Sequence, residues 1–300
     1  MARRLILLRH GQTDYNATGR MQGQMDTHLS DLGRQQAQRT ADELSRWDIR
    51  RVVTSDLSRA AETAGLIAAP HGLTPVLDER LRETHLGSWQ AHSHEEIDAA
   101  HPGQRAMWRH NPHWAPPGGE TRLEVAARAR SLVDELMHSF PEWEGGTVVC
   151  VAHGGTIAGL TCSLLGLPTD NYSSFSGLGN TSWAQLTARP RFHYDHSTVH
   201  NSGDRPTDPA LDTTPVATFT ESIIDDAQWY LDAWNASALG IPFAPAQPGS
   251  EGVGVTYTRT SIEGLLGVRA LRQQPRRRGG GPRSRRRTCS RGWPASSRPT

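Results

Sequence analysis

Two histidines, two arginines and a glutamate stand at comparable places in this 300-residue chain, each shortly after a run of apolar residues. Arg9-His10-Gly11 follows residues 5–8, and His153-Gly154-Gly155 follows residues 148–152. Arg59, in Ser55-Asp56-Leu57-Ser58-Arg59, comes behind residues 52–54, and Glu83 comes behind residues 76–77. Guanidinium groups are always charged and fork onto phosphate oxygens. Neutral imidazole titrates near pH 6.5, so a histidine among them can attack phosphorus. Glycines at a helix start let a ligand approach backbone N–H donors, and a carboxyl group can protonate a leaving alkoxide and later activate water. Singly, each piece reads as a loop, a solvated first-turn residue or a surface carboxylate; together they fit phosphoryl transfer.

The elements that would position these residues are legible in the apolar pattern. Residues 5–8, 52–54, 76–77 and 148–152 read as buried strands. Helices are expected from a Ser30 cap to about Trp47, with Gly33 a weak spot, from Leu57 to Ala69 ahead of Pro70, and from Gly154 to Leu165. Thr121-x-x-Glu124 is a capping box, with Val125, Ala129, Leu132, Val133 and Leu136 on the apolar face behind it. Strands alternating with helices predict an α/β fold: a doubly wound, mostly parallel sheet with helices on both faces. In such sheets ligands bind beyond the carboxyl ends of the strands. Both arginines and both histidines would converge there.

Composition limits the alternatives. Eleven of the 32 basic residues and none of the 31 acidic ones fall within 269–300. Residues 1–268 therefore carry 21 basic and 31 acidic side chains, a net of −10. Such a body is a poor partner for nucleic acid, and no apolar run approaches the roughly 20 residues that span a bilayer. The short apolar stretch behind Arg3-Arg4 predicts no secretory signal. Three cysteines without a CxxC favour a reducing cytoplasm. Lysine is absent, which suggests a GC-rich coding sequence. The domain is expected over 1–240, with 189–220 an inserted surface loop. Residues 241–300 read as a disordered Arg/Gly/Pro-rich tail, for which a shifted reading frame is the sharper account.

Taken together, Arg9-His10-Gly11-Gln12-Thr13, residues 54–63 (TSDLSRAAET), Glu83 and Val151-Ala152-His153-Gly154-Gly155 resemble the histidine phosphatase superfamily, which has the phosphoglycerate-mutase-like fold. The resemblance implies His10 as phosphorylated nucleophile, Arg9, Arg59 and His153 as the phosphate pocket, and Glu83 as proton donor. Asn16, Gln22 and Gly154 would line the pocket. Gln12-Thr13-Asp14-Tyr15-Asn16 is similar to the phosphatase branch, where mutases usually carry Glu-Ser-x-Trp-Asn. Residues 80–90 (RLRETHLGSWQ), 114–130 (WAPPGGETRLEVAARAR) and 177–186 (GLGNTSWAQL), with 229–238 (WYLDAWNASA), are similar to one actinobacterial group within that branch. For that group the implied reaction converts glucosyl-3-phosphoglycerate to glucosylglycerate.

Other small phosphomonoesters, such as a cobalamin precursor or 3-phosphoglycerate, are alternatives, and a cofactor-dependent mutase is a weaker one. From another class, the Arg-rich tail could bind nucleic acid. Histidines 85, 92, 94, 101, 110 and 113, and 193, 196 and 200, read as a polar helix start and scattered surface groups. No metal and no cofactor are expected. Trp89 reads as core packing, whereas Trp108 and Trp114 could pack or stack on a sugar. The expected partner is a small phosphorylated metabolite, with a homodimer left open.

Overall fold

In the computed structural model, which describes residues 2–191, 219 and 224–238, six strands form one sheet: β1 (Arg3–Arg9), β2 (Ile49–Thr54), β3 (Val76–Leu77), β4 (Thr147–Ala152), β5 (Trp183–Pro190) and β6 (Ala227–Ala236). Their order is β3-β2-β4-β1-β5-β6. The first four run parallel, whereas β5 pairs antiparallel with both β1 and β6. The helices are α1 (Asp14–Ala17), α2 (Asp31–Leu44), α3 (Ser58–Ala68), α4 (His94–Ala100), α5 (Gln104–His110), α6 (Arg122–Ser139) and α7 (Gly154–Leu164). All these elements lie in the unit Met1–Thr256; the unit Tyr257–Thr300 falls outside the described residues.

Alternation along the central strands produces the layers. Leu5 and Leu7 of β1, with Val148 and Cys150 of β4, join α6 and α7 in one core. Ile6, Leu8, Val149 and Val151 face the opposite way and join α2 and α3 in another. Every residue of β4 is buried, as expected of a parallel strand covered on both faces.

Local signals set the helix ends. Ser30 accepts from the Gly33 amide at the start of α2, and Thr121 and Glu124 form the expected capping box of α6. Gly33 is not a weak spot but a contact point. A Cβ there would lie 2.1 Å from the Gln12 carbonyl oxygen, and one on Gly11 would lie 2.4 Å from the Gly33 carbonyl oxygen. These two glycines let the loop after β1 press its backbone onto α2.

Two features lie beyond the sequence reading. The antiparallel strands β5 and β6 complete the sheet, and α1 and α4 add further capping boxes, Thr13 with Asn16 and Ser93 with Glu96. The packing expected of Trp89 is observed, and of the two readings left open for Trp108 and Trp114 packing holds: the three join Met21, Leu86 and Ile97 in a separate cluster. Strand β5 continues through Pro190, into the stretch expected to begin the inserted loop. The remainder of 189–220, apart from Arg191 and Phe219, and the expected tail 241–300 lie outside the described residues.

Candidate active site

Strand register brings three of the four stretches to one edge. Adjacent in the sheet, β2, β4 and β1 end level, with Thr54 beside Val151 and Arg9 beside Ala152. Two further ladder bonds extend past the strands: the His10 amide donates to the Ala152 carbonyl at 3.1 Å and the Ser55 amide to the Val151 carbonyl at 3.0 Å. The residue after each bond carries the chemistry or leads to it. His10 and His153 stand with ring centroids 5.1 Å apart, and Arg59 Nε lies 3.3 Å from His10 Nε2.

His10 is 3% exposed. Its Nδ1 lies 2.6 Å from the Gly11 carbonyl oxygen, which can only accept, so Nδ1 carries the proton. The Nε2 lone pair is left facing Arg59. Burial first, then the charges of Arg59 and Arg9, push His10 well below the usual histidine range, against the opposing Gly11 bond. The ring is neutral at physiological pH. His153 is fully buried, and neither ring nitrogen has a hydrogen-bond partner among the described residues. Burial and the nearby Arg59, His10 and Arg9 push it down as well. A buried polar group without partners is costly, and an incoming acceptor oxygen would relieve that cost.

Arg59 is 1% exposed and held rigidly. Its Nη1 donates to the Met25 carbonyl at 2.7 Å and its Nη2 to the Gly23 carbonyl at 2.8 Å. Burial lowers it to about 10, with Glu83 and Asp26 opposing, so it stays cationic at neutral pH. Asp26 also fixes the first turn of α3, accepting from the Ser58 amide and hydroxyl at 2.7 Å each. Leu57, in the capping position, offers no side-chain acceptor, so a distant loop supplies one. Arg9 donates to the Leu178 carbonyl, in the loop that enters β5.

The flanking residues form a second layer. Gln22 Oε1 accepts from Thr13 at 3.0 Å and Thr27 at 2.5 Å. Asn16 Oδ1 accepts from the Thr13 amide at 3.1 Å and from Asn180 Nδ2 at 3.2 Å. Asn180 also donates to the His10 carbonyl at 3.1 Å. Sequence reasoning missed Asn180. Its signal was the alternation of Trp183, Gln185 and Thr187 with Ala184, Leu186 and Ala188, which marks a strand starting just behind it.

Glu83 requires one correction. The Gly-Gly start of α7 was expected to offer amides to a ligand. Instead the Gly155 amide donates to Glu83 Oε2 at 3.0 Å and the Thr156 amide to Glu83 Oε1 at 3.2 Å. A Cβ on Gly155 would lie 2.6 Å from Glu83 Oε1, so this glycine makes room for the carboxylate. Gly154 stays open toward the site, its nearest such contact being Arg9 Nε at 3.9 Å. The helix start that directly follows His153 therefore holds the glutamate. Among the described residues no three His, Cys, Asp or Glu side chains gather as metal ligands; histidines 193, 196 and 200 lie outside them.

Known proteins resemble this chain over most of its length. Residues 5–196 match the family described as histidine phosphatase superfamily (branch 1). Glucosyl-3-phosphoglycerate phosphatase of Mycolicibacterium vanbaalenii is 47% identical over 240 residues, 79% of this chain and 96% of that protein. The Mycobacterium tuberculosis protein of the same name is 48% identical over 242 residues, again 79% and 96%. A solved structure of the mycobacterial glucosyl-3-phosphoglycerate phosphatase in complex with VO3 superposes with a TM-score of 0.65 at 47% identity, covering 78% of this chain and 100% of that one.

Proposed function

Since the chain belongs to the histidine phosphatase superfamily, branch 1, we propose that it hydrolyses glucosyl-3-phosphoglycerate to glucosylglycerate and phosphate through a phosphohistidine at His10. The observation that carries this is a neutral, buried His10 whose Nδ1 proton is tied to Gly11 and whose Nε2 faces Arg59. Arg9, Arg59 and His153 would hold the three non-bridging oxygens, with Asn16, Gln22 and Gly154 around them. Nε2 attacks phosphorus in line, the ester P–O bond breaks, and Glu83 gives its proton to the leaving oxygen. The resulting Glu83 carboxylate then takes a proton from water, which attacks phosphorus and breaks the P–N bond. Phosphate leaves, His10 is neutral again and Glu83 is reprotonated.

Substrate choice rests on the two mycobacterial relatives, which are 47% and 48% identical over 79% of this chain. The test compares kcat/KM for glucosyl-3-phosphoglycerate with 3-phosphoglycerate, a cobalamin-precursor phosphate and other metabolites. The expected preference is at least about tenfold for the glucosylated ester; equal or better use of another ester would reassign the substrate. A cytoplasmic setting in an actinobacterium is supported by the sparse cysteines, by mycobacterial relatives, and by the lack of any described helix able to cross a membrane.

A further inference from the structure

Glu83 sits on a segment without regular structure, between the short 3₁₀ turns Glu79–Leu81 and Gly87–Trp89. Its backbone carbonyls have no ladder to satisfy them and must find other donors. Arg128, in the second turn of α6, provides these. Its Nη1 donates to the Arg80 carbonyl at 2.8 Å and the Arg82 carbonyl at 2.7 Å, and its Nη2 donates to the Glu83 carbonyl at 2.9 Å. The remaining bonds, from Nε and Nη2, form a fork onto Glu120 at 3.0 Å each. All five guanidinium N–H groups are thereby used.

Glu120 closes the clamp. It accepts from the His85 amide at 2.7 Å and from Gln24 Nε2 at 3.3 Å, and Gln24 also donates to the Glu83 carbonyl at 3.0 Å. Burial alone would raise Glu120, but the Arg128 fork and the His85 amide outweigh it and keep the carboxyl below its usual range. Thr156, whose amide holds the Glu83 carboxylate, donates its hydroxyl to the Arg82 carbonyl at 2.7 Å. The acid is gripped at its carboxylate by α7 and at its backbone by α6.

We infer that Arg128, braced by Glu120, is a positioning residue that aims Glu83 at the leaving-group oxygen. This rests on the assignment of Glu83 as the acid. Neither side chain is hydrogen-bonded to the histidine cage, and Arg128→Lys keeps the positive charge that acts on His153, so that substitution should disturb proton delivery and leave phosphate binding intact. Lysine in place of Arg128 keeps the charge but cannot make the fork to three carbonyls and a carboxylate.

The test measures kcat/KM, which reports phosphoryl transfer to His10 and not the later hydrolysis in which Glu83 serves every ester alike, for an alkyl monoester, 3-phosphoglycerate or the glucosylated ester, and for p-nitrophenyl phosphate, whose leaving group needs no proton. The full-length enzyme is compared with Arg128→Lys, Glu120→Gln, Glu83→Gln and the double variant of Arg128→Lys with Glu83→Gln. Vanadate affinity serves as the readout of the cage. Arg128→Lys is expected to slow the alkyl ester by about tenfold to 10²-fold, with the aryl ester and vanadate affinity changed less than about threefold. It should add nothing in the Glu83→Gln background. Equal slowing of both esters, additive losses in the double variant, or no slowing at all would overturn the proposal. Selective slowing by Glu83→Gln with an indifferent Arg128→Lys overturns the positioning role alone. Equal slowing of both esters by Glu83→Gln overturns the acid assignment and the positioning role with it. Should Arg128→Lys fold poorly, Glu120→Gln must show the same selectivity, and a non-selective loss there counts against the proposal.

Discussion

At His10 and His153 the chemistry and the pH response come from one cause, the burial of neutral imidazoles beside cations. Both folded-state values lie below the unfolded value near 6.5. As pH falls below about 6.5, the unfolded chain binds protons that the folded site resists, so stability declines on the acid side and is unaffected above it. Each histidine contributes up to about 1.4 kcal/mol per pH unit in that window. Chemical denaturation of wild type and His153→Gln between pH 5 and 7.5 checks this: the variant should show a slope shallower by up to that amount, and an unchanged slope would remove the claim. Phosphate binding should reverse the effect at His153, because an anion beside it favours the charged ring.

The elements show how far the sequence went. Strand-to-site spacing was readable because β1, β2 and β4 each contain a short buried apolar run that leads into polar residues, Arg9-His10, Thr54-Ser55 and His153. That pattern located His10, His153 and Arg59, and the motif resemblance joined Glu83 to them. What it could not locate were partners supplied across long sequence distances, such as Asp26 on α3, Asn180 on the His10 carbonyl and Arg128 on the Glu83 segment. Glycine roles were misread for the same reason, since a close backbone approach leaves no periodic trace. Helix propensity alone would have Gly33→Ala stabilise α2 by up to about 1 kcal/mol. The 2.1 Å approach to the Gln12 oxygen predicts the opposite, a loss of about 1–3 kcal/mol visible as a lower Tm. Gly155→Ala should displace the Glu83 carboxylate and lower kcat/KM for alkyl esters more than for p-nitrophenyl phosphate; an equal fall would mean that its effect is general disruption of α7.

For the whole molecule, the described site and sheet are complete by Ala236, the last residue of β6. Removing residues 242–300 should therefore leave phosphatase kcat/KM within about twofold of the full chain, with a steep fall showing that the Arg-rich segment belongs to the catalytic unit. Any nucleic-acid affinity should go with the removed segment and weaken steeply with salt. Light scattering of both forms decides between monomer and homodimer. The central claim, a phosphoryl group carried on His10 Nε2, is tested by mixing enzyme with labelled substrate and quenching in alkali, where phosphohistidine survives. The account predicts label on His10 within one turnover, and none in His10→Ala, whose turnover should fall on the order of 10³-fold or more. Near-normal turnover by His10→Ala, or label recovered on another residue, would contradict it.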